Sequence, residues 1–170
     1  MPGYRRNLPH LRLAGATYFV TFRLSDSIPD SVAARWREED EAWQARVGTS
    51  SEEQLHFERA RQRRFFVELD KCHGSCLLAE TGSLVASALE HFDGRRIWLG
   101  DYVVMPNHVH LLVQPFPGIE LEEWLYSVKR FSSNQIITNV GHRAKAGMRN
   151  GHLWQTESFD RVVRTVEELS

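Results

Sequence analysis

The sequence predicts an α+β fold, an antiparallel sheet covered by helices on one face. Three observations carry that expectation. Runs dense in β-branched and aromatic residues stand at 17–24, 96–104, 108–114 and 159–164, each of strand length. Longer stretches between them repeat apolar residues at helical spacing. The order strand, helices, strand, strand, helix, strand lacks the regular alternation of a parallel sheet.

The elements follow in turn. Thr17-Tyr18-Phe19-Val20-Thr21-Phe22-Arg23-Leu24 reads as the first strand. Ser31 is the candidate cap of a helix from Val32 to Arg46. After the Gly48-Thr49-Ser50-Ser51 break, Ser51 with Gln54 suggests a capping box for a second helix through Leu69. Both helices are polar, so they read as a surface hairpin. A third helix is expected from Gly82 to Phe92, with Leu84, Val85, Ala88, Leu89 and Phe92 toward the sheet. Asp93-Gly94 then turns the chain into the 96–104 strand. A fourth helix runs from Leu121 to Thr138, with Leu121, Trp124, Leu125, Val128, Phe131 and Ile136 as its apolar side. Residues 141–151 read as a loop, and Phe159 to Arg164 as the last strand.

A chain of 170 residues fits a single domain, 1–170, in which 27–71 is a helical insertion. Hydrophobic content of 42% and charged content of 25% are those of a globular protein and argue against a disordered chain. No apolar run reaches the length of a membrane span, and no apolar stretch follows Arg5-Arg6 to make a secretory signal. Cys72 and Cys76 alone make no disulfide framework, so the expected location is the cytoplasm.

Net charge is −1, which would disfavour a polyanionic partner if the charges were evenly spread. They are segregated. The 26–58 region is acidic around Glu38-Glu39-Asp40-Glu41, whereas 124–156 contains no acid but carries Lys129, Arg130, Arg143, Lys145 and Arg149. Arg59, Arg61, Arg63 and Arg64 form a second cluster. Such segregation can give a nearly neutral protein one basic face; solvated helix faces are the other reading.

The candidate chemistry centres on Met105-Pro106-Asn107-His108-Val109-His110. Alternate residues of a strand share a face, so His108 and His110 project together. Two neutral imidazoles side by side suit a divalent cation, though two half-buried, hydrogen-bonded histidines would read the same way. Asn107 should point away from His108, and the direction of Asp101 is open. Cys72-His73-Gly74-Ser75-Cys76 reads as a turn with buried thiols or, less simply, as a zinc site. Tyr102 and Tyr126 are the candidate nucleophiles near a metal, besides a metal-bound water. Tyr126, Lys129 and Arg130 share a helix face suited to a phosphate. Trp154, beside a basic loop, either stacks on an unpaired base or closes the core.

Val104-Met105-Pro106-Asn107-His108-Val109-His110-Leu111-Leu112-Val113 resembles the His-hydrophobic-His (HUH) motif of single-tyrosine transposases, in particular the REP-associated tyrosine transposases. Arg5-Arg6 with Tyr18-Phe19-Val20-Thr21, and Leu89-Glu90-His91-Phe92-Asp93-Gly94, are similar to family segments. So are Ser127-Val128-Lys129-Arg130-Phe131-Ser132, Leu153-Trp154-Gln155 and Phe159-Asp160-Arg161-Val162-Val163-Arg164. The ordered set covers nearly the whole chain.

The resemblance implies a ferredoxin-like sheet, Mg²⁺ or Mn²⁺ held by His108 and His110, and single-stranded or hairpin DNA as the partner. Lys129, Arg130, Arg143, Lys145 and Trp154 are the expected DNA contacts, and a homodimer is a possible assembly. In the family a tyrosine attacks the scissile phosphate and leaves a 5′-phosphotyrosine. That tyrosine follows the Asp-Arg-x-x-Arg block, which places it beyond Ser170, so no catalytic residue is assigned and the domain reads as cut short before its catalytic helix. Either the gene product is truncated or the sequence is a fragment; for a complete chain the expected activity is DNA and metal binding without strand transfer. The alternatives are a metal-dependent DNA nuclease and a non-catalytic nucleic-acid-binding remnant.

Overall fold

The computed structural model describes residue 13 and residues 15–164; the Arg5-Arg6 resemblance lies outside them. The chain forms β1 (Tyr18–Arg23), α1 (Asp30–Gln44), α2 (Ser51–Asp70), α3 (Leu78–Glu90), β2 (Ile97–Val104), β3 (His108–Pro115), α4 (Leu121–Val140), α5 (His142–Gly147) and β4 (Phe159–Val162). The sheet order is β2-β3-β1-β4, and every neighbouring pair is antiparallel. Consequently β1 and β2 run parallel with β3 between them, as do β3 and β4 with β1 between them. This is the split β-α-β arrangement of an α+β, ferredoxin-like sheet, with α1 and α2 intervening between β1 and α3.

Alternation along the central strands separates two faces. Tyr18, Val20 and Phe22 of β1 and Val109, Leu111 and Val113 of β3 are buried against α3 and α4. Val85, Ala88 and Leu89 answer from α3, and Leu121, Trp124, Leu125 and Val128 from α4. Each large side chain removed from water contributes roughly 1.5–3 kcal/mol. The opposite face carries Phe19, Thr21 and Arg23 beside Leu112, His110 and His108, their respective partners in register. The α2 helix crosses this second face, where the Phe66 ring meets Phe19 and Phe159 edge-on. The hairpin thus packs on the sheet through its second helix instead of standing wholly on the surface.

Several boundaries differ from expectation for local reasons. Ser50, not Ser51, caps α2: its hydroxyl accepts from the Glu53 N–H while the Glu53 carboxylate accepts from the Ser50 N–H at 2.8 Å. A carboxylate makes the stronger return bond than Gln54 would. Pro29 precedes α1, and Ser31 lies inside the helix. Gly82 is not the start of α3 but an interior position, where an added Cβ would come within 3.2 Å of Val104. The glycine thus marks close helix–sheet approach, not a break. Residues 142–147 form α5 rather than loop, with Gly141 at φ 49° ending α4. Phe131 is 48% exposed, and Ser132 takes its place in the core.

Candidate functional site

His108 and His110 lie on the same face of the central strand β3, as alternation requires. Their rings meet at Nε2, 2.9 Å apart. His108 is fully buried and His110 partly so. The Phe19 ring stacks on His110 with centroids 5.5 Å apart, and Phe66 tilts over the same ring at 5.7 Å. One edge of the pair is therefore sealed by aromatic carbon.

The outer nitrogens are each held by a neighbour. Asn107 Oδ1 lies 2.7 Å from His108 Nδ1, while Asn107 Nδ2 donates to the His73 carbonyl at 3.1 Å. The His73 carbonyl orients the amide with its NH2 away from the ring, so the oxygen, which can only accept, takes the bond from His108 Nδ1–H. That fixes a tautomer in which His108 Nε2 bears a lone pair. Thr21 Oγ1 lies 2.7 Å from His110 Nδ1, and a hydroxyl can serve there as donor or acceptor. Asn107 was expected to face away from His108. It precedes β3 in a turn, so strand alternation does not govern it, and it is fully buried beside the ring.

Electrostatics keep the pair neutral. Burial lowers His108 to about 4, with His110 adding to the effect and Asp70 opposing it. Burial also lowers His110, again with Asp70 opposing. Neutral rings offer lone pairs at neutral pH. Asp70, the last residue of α2, brings a carboxylate oxygen to 4.0 Å from His108 Nε2. Among the described residues no group of three or more His, Cys, Asp or Glu side chains could hold a metal ion. The donor set is two imidazole nitrogens, with one mostly exposed carboxylate nearby.

The other expected site residues lie elsewhere. Trp154 is only 4% exposed; its indole N–H donates to Ser132 Oγ at 3.0 Å and its ring meets Phe22 edge-on. It closes the core, and no face is left on which a base could stack. Lys129 donates to the carbonyls of Gln155 and Thr156 and to Ser158 Oγ, at 2.9–3.1 Å. Those bonds tether the segment leading into β4, so the ammonium is committed to the protein rather than open to phosphate. Arg143 pairs with Glu80 through both terminal nitrogens. Arg130 on α4 and Lys145 on α5 are exposed. The Tyr102 hydroxyl donates to Glu90 at 2.6 Å, which raises its pKa, and Tyr126 is exposed on α4. Neither tyrosine contacts the histidines. Asp101 is exposed on β2. The Cys76 thiol lies 2.8 Å from the Cys72 carbonyl, closing a turn.

A family model described as "Transposase IS200 like" matches residues 82–168, which is more than half of the chain and includes both histidines. The chain belongs to the IS200-like transposase family. Among solved structures, this IS200-like family member is similar to a REP-associated tyrosine transposase bound to a REP hairpin. That match has 15% identity and a TM-score of 0.51, covering 99% of this chain and 66% of the other. The chain thus spans just under two thirds of that transposase's length, and the likeness is one of fold. A second similar structure, a candidate transposase from Deinococcus radiodurans R1, has 14% identity and a TM-score of 0.42, covering 99% of this chain and 91% of the other. No curated protein sequence matches. No described helix is long and apolar enough to cross a membrane.

Sequence reasoning found the histidines but not Thr21, Phe19, Phe66 or Asp70. For Thr21 and Phe19 a signal existed, since alternation places both opposite the core-facing Val20; their register against β3 was missing. Nothing in the sequence marks Phe66 or Asp70, which reach the site only because α2 folds back across the sheet.

Proposed function

We propose that this family member binds single-stranded or hairpin DNA at the His108–His110 face and there uses Mg²⁺ or Mn²⁺ in the strand chemistry of DNA transposition. The observation that carries the reading is the 2.9 Å approach of the two Nε2 atoms on one strand face. Family membership supports it, and the hairpin bound by the structural neighbour supports DNA as the partner.

The residues fit such an ion. Both imidazoles are neutral, and their outer nitrogens are bonded to Asn107 and Thr21, as metal-binding histidines require. A two-nitrogen set leaves positions for water and phosphate oxygen, which suits Mg²⁺ or Mn²⁺ better than structural zinc. When bound, the ion would polarise a phosphoryl oxygen and offset developing negative charge. His108 is held with its Nε2 lone pair inward by Asn107. In the metal-free protein, His110 Nε2–H donates to that lone pair and Thr21 donates to His110 Nδ1. Holding an ion through Nε2 would place the His110 proton on Nδ1, where Thr21 Oγ1 would accept it with its hydroxyl turned away. Phe19 and Phe66 exclude water from one side of the rings.

No tyrosine of residues 15–164 is assigned as nucleophile, because Tyr18 is buried in the core, the Tyr102 hydroxyl is engaged by Glu90, and Tyr126 stands on α4 away from the histidines. We assign 27–71 as a helical insertion in a single domain. Isothermal titration with Mn²⁺ tests the core of the reading. The full chain should bind one ion, and the His108→Ala/His110→Ala variant none. No uptake by the parent would overturn it. A covalent DNA adduct mapped by peptide mass to Tyr102 or Tyr126 would overturn the nucleophile assignment.

A further inference from the structure

The Arg59–Arg64 cluster is divided by the fold between two tasks. Arg61 and Arg64 turn toward α1 and are spent there: Arg61 pairs with Asp40 at 3.2 Å and with Glu58, while Arg64 pairs with Asp40 at 2.7 Å and with Glu39. Arg59 and Arg63 are exposed and make no ion pair or hydrogen bond with any described residue. These two belong to a different stripe of the helix. Arg59, Arg63, Phe66 and Asp70 follow one another at intervals of four, three and four, which is one face of an α-helix. The site end of that stripe is fixed by contact, Phe66 over the His110 ring and Asp70 beside His108. At 1.5 Å per residue, Arg63 stands about 4.5 Å and Arg59 about 10.5 Å further along the axis from Phe66.

We infer that this stripe of α2 is a phosphate track: Arg59 and Arg63 hold the backbone of a single DNA strand as it enters or leaves the histidine pair. The inference rests on the DNA reading proposed above and assigns to the helical hairpin a part in it. A guanidinium presents a planar fork of donors that matches a phosphate bidentately. Two such groups with no partner among the described residues, on the helical face that continues into the site, are placed for successive phosphates. Three of the hairpin's acids, Glu39, Asp40 and Glu58, are already paired with Arg61 and Arg64. The two halves of one sequence cluster therefore do different work, one pair fastening the hairpin and the other facing the substrate.

The test is anisotropy of a labelled oligothymidylate with the full chain, from about 50 to about 200 mM salt, where each lost single-strand phosphate contact lowers the salt slope by about 0.7. The Arg59→Gln/Arg63→Gln variant should lose about 1.4 from that slope, so its affinity deficit is about sevenfold larger at the low-salt end. Arg59→Lys/Arg63→Lys should restore most of the slope. Arg35→Gln, on exposed α1, should leave it as in the parent. If the parent binds with a steep slope that the Gln variant retains, the track is refuted while the DNA reading stands. An equal loss in Arg35→Gln also refutes it, since the effect would then be general charge. If the parent shows no salt-dependent binding, the DNA reading itself fails.

Discussion

Asn107 and His108 are neighbours in sequence whose side chains bond to each other, Oδ1 to Nδ1 at 2.7 Å, both fully buried. A side chain directly before a strand thus orients the first side chain within it, and the His73 carbonyl orients that side chain in turn. The orientation of the His108 ring is set from three positions, of which only one lies in β3.

Replacing Asn107 by Leu should weaken Mn²⁺ binding by about 10–100-fold, the usual effect of losing an outer-shell partner. It should also cost about 1–3 kcal/mol of stability, because His108 Nδ1–H and the His73 carbonyl both lose their partner. Titration calorimetry and chemical denaturation separate the two effects. An unchanged metal affinity would show that Asn107 is structural only.

Thr21→Val keeps the shape of the side chain and removes the hydroxyl. We expect Mn²⁺ affinity to fall while Thr21→Ser retains it, since only the hydroxyl serves His110 Nδ1. Equal affinities for the Val and Ser variants would contradict the proposed exchange of donor and acceptor roles.

The buried rings predict a pH dependence for the metal-free protein. Unfolded His108 takes a proton near 6.5, whereas the folded ring holds out to about 4. Between those values the unfolded state binds more protons, so stability rises with pH and is lost as pH falls through the window. The His108 contribution has a slope of at most about 1.4 kcal/mol per pH unit, and His110 adds in the same direction. Urea denaturation in chelator across this range checks it. His108→Gln should flatten the curve.

Trp154 and Lys129 separate packing from DNA contact. Trp154→Ala should cost about 3–5 kcal/mol as a buried aromatic is deleted. Lys129→Met leaves two carbonyls without a charged donor and should cost about 1–3 kcal/mol. Neither should change the salt slope of DNA binding in protein that remains folded. A flattened slope in Lys129→Met would return that residue to the DNA-binding face.

Local patterns in the sequence were legible wherever the period alone decides the outcome. His108 and His110 share a face because strands repeat every two residues, and the strand and helix order already implied an α+β sheet. What stayed hidden depends on chain segments meeting. Asp70 and Phe66 reach the histidines through the path of α2, and Asn107 acts from a turn whose geometry no periodicity describes. Trp154 was ambiguous for another reason: an aromatic after a basic loop looks the same whether it fills a core or awaits a base. The Arg59–Arg64 run read as one cluster until α1 supplied the acids that divide it.

The histidines sit on β3, which is hydrogen-bonded along both margins, to β2 on one side and β1 on the other. Amides there should exchange with solvent only when the whole domain opens, while α1 and α2, joined across Gly48, can release in smaller excursions. The imidazoles would then keep their mutual spacing through such excursions, a stationary jaw beside a yielding one.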